Sequence, residues 1–232
     1  WTCNMVKHQI KVIQALFSGL AQGGRGVTGT PHPKQPEQPL KLYEFEGSPY
    51  CRRVREVLTL LNLDYEVYPC PKGGTKYRPL VKQLGGKTQF PFLLDENTDT
   101  KLYESYVGTL VNGARGVWIN KSIKDRVAPE QLLQLWGFEA SPYTRIVRGL
   151  LTELELPFKF HNVPKERWQD QGPAVLRLKP GKYVPLAGGK REQVMQVMGR
   201  DIQVPYLVDP NTETALFESA DIVAYLKQTY AA

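Results

Sequence analysis

Cysteine, histidine and methionine are scarce in this chain, with three of each. Cys3, Cys51 and Cys70 are too few for a disulfide framework, so a reducing compartment is the default. His8, His32 and His161 are scattered and, with those cysteines, show no metal-ligand spacing. No apolar run approaches the roughly 18–20 residues a spanning helix needs. Thirty Lys and Arg against 23 Asp and Glu leave a charge of +7. No dense basic stripe with interleaved aromatics accompanies it, so nucleic acid is not indicated. The glycines of Gly23–Gly29 lack phosphate-loop spacing, and no nucleotide motif is present. What is present is ordinary globular material, 41% hydrophobic and 23% charged over 232 residues. At roughly 100–150 residues per domain, that length suits two domains.

The acidic residues are missing from one place in particular, since none precedes Glu37. In that stretch Val6, Ile10, Ile13, Phe17 and Leu20 recur at three- and four-residue steps, with Lys7, His8, Lys11 and Gln14 off the stripe. The spacing predicts a basic amphipathic helix. Gly23, Gly24, Gly26 and Gly29, then Pro31, Pro33, Pro36 and Pro39, predict an extended tether after it. Two readings stand side by side: a helix lying on its own domain, or one docking on another protein or a membrane surface through Val6, Ile10, Ile13 and Phe17. An acid-free amphipathic start also resembles the tail of an organelle transit peptide.

From Leu40 the pattern alternates. Strands are expected at Leu40–Phe45, Tyr65–Tyr68, Phe92–Leu94 and Leu102–Tyr103, with helices at Arg52–Leu61 and Tyr77–Leu84 and another opening at Ser105. The order returns with strands at Leu133–Phe138, Phe158–His161, Tyr206–Val208 and Leu216–Phe217, and helices at Arg145–Leu154, Glu192–Met198 and Ala220–Tyr230. Ser48-Pro49-Tyr50-Cys51-Arg52 matches Ser141-Pro142-Tyr143-Thr144-Arg145. The run Pro91–Thr98 matches Pro205–Thr212, and Glu104-Ser105 matches Glu218-Ser219. This is a duplication. Its layout is that of the thioredoxin fold twice over, each copy expected to keep its own core, with a Pro/Gly/Lys-rich insertion around Pro164–Gly189 read as a loop. The expected division is 1–39 helix and tether, 40–118 first domain, 119–131 linker and 132–232 second domain.

The repeated positions suit ligand binding. A residue at the start of the first helix of each copy meets unpaired N–H groups and the positive end of the dipole. Phe90-Pro91 and Val204-Pro205 stand where a cis bond presents backbone to a peptide-like ligand. Glu104-Ser105 and Glu218-Ser219 open a helix, where hydroxyl and amide form an anion seat.

These segments resemble glutaredoxins and the N-terminal domain of glutathione transferases. The fuller resemblance, covering nearly everything from Leu40 to Tyr230, is to plastid proteins of plants and algae that carry two such domains in tandem. Glu44-Phe45-Glu46, Tyr68–Gly73 and Gln89-Phe90-Pro91-Phe92 carry it in the first copy, Leu154–Pro157 and Val204–Thr212 in the second. The resemblance implies a plastid location, stromal or thylakoid-associated, no required cofactor, and glutathione as the ligand of Ser48, Tyr50, Phe90, Pro91, Glu104 and Ser105, and of Ser141, Tyr143, Val204, Pro205, Glu218 and Ser219.

The chain departs from that pattern at the nucleophile. Glutaredoxins place their attacking Cys where Ser48 stands, and only the resolving-type position is Cys51; the second copy has Ser141 and Thr144. A thiol cycle needs the first sulfur. The segment between the copies, Asn112–Glu130, is too short for the helical domain of a transferase. Two functions follow: a catalytically degenerate tandem acting as scaffold or accessory subunit, or a glutathione-dependent transferase or thiol-disulfide oxidoreductase using Ser48 and Cys51. Ser48 and Ser141 also suit helix N-caps, Cys51 a buried core site, and Cys70, between prolines, an exposed one. Arg52, Arg53, Arg55, Arg145 and Arg148 fit either a ligand carboxylate or a solvated helix face. Trp118, Trp136 and Trp168 read as core or interface filler.

Overall fold

The computed structural model describes residues 26–103, 118–119, 129–170 and 183–231. The expected helix over Trp1–Leu20 and the segment opening at Glu104-Ser105 lie outside them. In the first copy come β1 (Leu40–Glu44), α1 (Pro49–Leu60), β2 (Tyr65–Pro69), α2 (Tyr77–Gly85), β3 (Phe92–Asp95) and β4 (Thr100–Tyr103). The second repeats them as β5 (Leu133–Gly137), α3 (Pro142–Glu153), β6 (Phe158–Asn162), α4 (Lys190–Met198), β7 (Tyr206–Asp209) and β8 (Thr214–Leu216), then closes on α5 (Ser219–Tyr230). Each copy has the thioredoxin-like order. Helices α1 and α3 start three residues earlier than their apolar spacing indicates. Ser48 and Ser141 cap them, and a proline whose fixed φ suits the first helical position follows each. The strand expected at Leu216–Phe217 ends instead at Leu216.

The copies are not separate bodies. One eight-stranded sheet runs β4-β3-β1-β2-β6-β5-β7-β8, joined by antiparallel pairing of β2 with β6. Tyr65 faces Phe160, Val67 faces Phe158, and Glu66 faces Lys159. Glu66 and Lys159 are matching positions of the repeat, so a local two-fold axis passes between them and the junction is isologous within one chain. The expectation of two separate cores is therefore corrected. The main apolar cluster crosses the junction, uniting Leu42, Leu58, Tyr65 and Val67 with Leu133, Leu151, Phe158 and Phe160. Smaller clusters lie outboard, around Val81 and Phe92 on one side and Trp136 and Met198 on the other. The edge of β2 that β1 leaves open is paired with β6 of the other half.

Charge crosses the same junction reciprocally. Arg55 Nε donates to Glu139 Oε2 at 2.8 Å, and Arg148 Nε donates to Glu46 Oε2 at 2.9 Å. These are again matching positions. Arg148 Nη2 also lies 2.8 Å from Glu139 Oε2, Arg55 pairs with Glu44, and Arg52 Nε donates to Glu56 at 2.9 Å. All of these side chains are buried. Arg52, Arg55 and Arg148 thus neither face solvent nor wait for a ligand, because carboxylates of both copies pair with them, whereas Arg53 is partly exposed and pairs with Glu56 of its own helix at 3.0 Å. Burial alone would raise the Glu139 carboxyl, but Arg148, Arg55 and Arg52 outweigh it and hold it down at about 2. For Glu44 burial prevails over Arg55 and pushes the carboxyl up to about 7. The second copy has Gly137 at that position, where a Cβ would meet Thr144 Oγ1 at 2.7 Å.

The Gly/Pro stretch expected as an extended tether is, from Gly26 to Gln35, a strap over both copies. Ala140 N donates to Gly26 O (3.1 Å) and Lys165 N to Val27 O (2.8 Å). Thr30 N donates to Leu60 O (3.0 Å), Lys190 N to Pro31 O (2.9 Å) and Gln35 Nε2 to Asn62 O (2.9 Å). A Cβ on Gly29 would lie 2.5 Å from Pro164 Cγ and still closer to the Thr59 carbonyl, whereas one on Gly149, inside α3, would meet nothing within 4 Å.

Two outcomes are expected. Gly29→Ala should cost about 1–3 kcal/mol through overpacking, while Gly149→Ala should gain about 0.5–1 kcal/mol of helix propensity, read as opposite shifts in melting temperature. Glu139→Gln should cost about 3–5 kcal/mol at neutral pH, because the buried guanidinium groups of Arg52, Arg55 and Arg148 lose a charge partner. The pH dependence carries a sign. Glu139, depressed on folding, contributes stability above about pH 4.5 that is lost as pH falls toward 2. Glu44, raised on folding, contributes stability below about pH 4.5 that is lost as pH rises through 7. Urea midpoints from pH 2 to 8 should therefore lose their acid limb in Glu139→Gln and keep it in Glu44→Gln.

Candidate functional site

Ser48 ends the turn after β1 with extended backbone, φ −81 and ψ 123, and its Oγ accepts the Cys51 N–H at 3.3 Å. Ser141 does the same after β5, accepting the Thr144 N–H at 3.2 Å. Each hydroxyl oxygen satisfies a helix N-terminal donor, and the side chains are 2% and 3% exposed. Tyr50 and Tyr143 stand outside them, 47% and 43% exposed.

Phe90–Pro91 and Val204–Pro205 are both cis, as the repeat led us to expect. Pro91 immediately precedes β3, and β3 pairs with β1 so that Phe92 faces Tyr43. The proline therefore lies beside the end of β1, and Phe45 of the following turn meets Phe90 edge-on at 6.3 Å. The Arg78 guanidinium covers Phe90 at 4.7 Å while donating to the Cys70 and Pro71 carbonyls. In the second copy Tyr206 faces Trp136 across β7 and β5, setting Pro205 beside Gly137. Glu218 is exposed and takes φ 47, a left-handed value uncommon for a non-glycine residue, and its carboxylate accepts from Gln203 Nε2. Ser219 is buried at the start of α5. The first copy's Glu104 and Ser105 lie outside the described residues, as do Val6, Ile10, Ile13 and Phe17.

No thiol of the described residues is placed for attack. Cys51 is fully buried; burial is the leading cause that pushes its thiol up to about 12, the Ser48 hydrogen bond and Arg55 recovering only part. Cys70, expected at the surface between its prolines, is buried too. Its N–H donates to Glu44 O at 2.6 Å and its Sγ to Tyr68 O at 3.4 Å, and burial raises this thiol as well. Both are free cysteines. A thiol so far above neutrality supplies almost no thiolate, the form that attacks a disulfide. Each copy thus sets a capped helix N-terminus beside a cis-proline and aromatic side chains.

The tryptophans divide. Trp136 is buried and stacks on His161 at 4.3 Å, as core filler does, whereas Trp118 is 60% exposed beneath Lys72 Nζ and is not a core residue. The side chain of Trp168 is outside the described set. Sequence reasoning missed a cluster at the junction, in which His161 Nδ1 lies 3.0 Å from Asp64 Oδ2 and its Nε2 lies 2.7 Å from Gln134 Oε1. Lys190 also pairs with Asp64. Burial opposes ionisation of Asp64, but the bonds from His161 and Lys190 hold it below the usual carboxylate range. Nothing local in the sequence links Asp64 to residues about a hundred positions away. Among the described residues no group of three or more His, Cys, Asp or Glu could hold a metal, and no helix is long and apolar enough to cross a membrane.

Comparison with known proteins bears on this arrangement directly. A family model described as the glutathione S-transferase N-terminal domain matches residues 42–107 and 135–232, one stretch in each copy. No curated protein and no solved structure matches. With a βαβ start, a capped first helix and a cis-proline strand in both stretches, the chain belongs to the glutathione S-transferase N-terminal domain family.

Proposed function

We propose that the protein is a catalytically degenerate glutathione-transferase-like tandem, serving as scaffold or accessory subunit of a plastid assembly and retaining seats of glutathione-binding form. The observation that carries this is the fate of the would-be nucleophiles. Ser48 and Ser141 are buried caps, and Cys51 and Cys70 are buried thiols raised far above neutral pH. Binding remains reasonable where chemistry is not, because the helix N-termini and cis-proline edges need no nucleophile. Contact with the assembly falls to the amphipathic stretch Trp1–Leu20, whose Val6, Ile10, Ile13 and Phe17 would each contribute about 1.5–3 kcal/mol on burial.

The isolated chain should reduce a glutathione-mixed disulfide no faster than a thiol-free control. Native protein should leave Cys51 and Cys70 unreacted with an aromatic disulfide reagent at pH 8, and both should titrate after unfolding. Ser48→Cys should gain monothiol reduction, because it restores sulfur to the attacking position of an intact seat. Deleting residues 1–20 should release the chain from its assembly. Robust reduction by the unaltered chain would replace this proposal with the enzyme reading in which Ser48 and Cys51 act.

A further inference from the structure

The two copies cover their first helices unequally. In α3 the outward line Ile146, Leu150 and Leu154 is buried, at 8%, 8% and 0% exposure, and α5 packs against that helix. Leu150 and Leu154 share one apolar cluster with Ile222, Leu226 and Tyr230 of α5. The matching line in α1 is Arg53, Val57 and Leu61. There Val57 is 53% exposed and Leu61 47%, with Leu60 beside them at 57%. Where the second copy has Ile222 and Leu226, the matching positions of the first copy's sequence are Gly108 and Asn112.

We propose that this open face of α1 is the intramolecular seat of the chain's own amphipathic stretch, Trp1–Leu20. Reach supports that occupant. The described chain begins at Gly26, at the junction, where a Cβ would lie 2.8 Å from Glu139 Cβ of the second copy and 3.5 Å from Glu56 Cγ of α1, the residue next to Val57 in sequence. Residues 27–30 then follow α1 toward its C-terminus, where Thr30 N donates to Leu60 O. Five residues separate Leu20 from Gly26, and the six Cα steps between them span up to about 20 Å when extended. Helix α1, with 12 residues, is about 18 Å long, so Leu20 can reach any part of it. Pattern supports it as well. Val6, Ile10, Ile13, Phe17 and Leu20 form a stripe at helical spacing, the feature by which α5 covers α3 with Ile222 and Leu226. The stretch thus takes the place in the first copy that α5 holds in the second.

This deepens the accessory-subunit reading by giving its docking stripe a resting place, so that joining the assembly exchanges an internal cover for an external one. The test is made on the isolated full chain, apart from any assembly. A photo-crosslinking phenylalanine analogue at position 57 should join to residues between Trp1 and Leu20 of the same molecule, located by mass spectrometry. Val57→Asp combined with Leu61→Asp changes two half-exposed side chains. It should leave the circular dichroism and melting of the sheet unchanged, yet let trypsin cut at Lys7 and Lys11 about tenfold faster, since cleavage follows the opened population. Crosslinks to residues 104–117 or to a second molecule, or equal cleavage in both proteins, would overturn the inference. Loss of the assembly on deleting residues 1–20 is a separate result and bears only on the accessory role.

Discussion

The structure turns on a pair of reciprocal contacts, Arg55 with Glu139 and Arg148 with Glu46. Each guanidinium lies buried in one copy and finds its carboxylate in the other. Four charges have been taken out of water together, and although Arg55 also meets Glu44 and Arg148 also meets Glu139 within their own halves, the reciprocal pairs exist only where the halves are joined. Such a network adds little net stability over an apolar equivalent, but it strongly penalises any arrangement that separates partners. It therefore selects one geometry. The β2–β6 pairing, with Glu66 opposite Lys159, and the apolar cluster spanning the junction are compatible with that geometry and supply the burial it lacks.

The same choice shapes the seats. The turns that carry Glu46 and Glu139 also carry Ser48 and Ser141 two residues later. Fixing the carboxylates across the junction fixes the hydroxyls as caps. Cys51, one turn into α1, ends up in the interior, where burial suppresses its ionisation. A tandem glutathione-transferase-like chain whose helices are held this way has committed its first helical turns to structure.

Much of each copy could be read from local pattern. Ser-Pro-Tyr before an apolar helical spacing, and the repeated Pro-Phe-Leu-Leu-Asp and Pro-Tyr-Leu-Val-Asp strands, locate α1, α3, β3 and β7 to within a few residues. The cis-prolines follow from laying the copies over one another. What joins the copies was not legible, because Arg55–Glu139, Asp64–His161 and Asp64–Lys190 bridge residues about 80 to 130 positions apart. One signal was available: arginines three apart in both first helices, each copy with a glutamate two residues before its cap serine. Cys70 misled because neighbouring prolines suggest a surface loop, whereas its N–H extends the pairing of β2 with the end of β1. The Gly/Pro strap misled similarly, since its composition speaks of flexibility and its bonds lie with distant backbone.

A symmetric dimer of identical chains must repeat every substitution on both sides of its axis. Fusion of the halves into one polypeptide removes that obligation. Glu44 stands against Gly137, Glu56 against Gly149 and Cys51 against Thr144. Each half has become a fixed background against which the other can drift, so a change too costly in duplicate is tolerated once. Divergence between the copies is then a product of their covalent linkage, and two unlike surfaces come from what began as one.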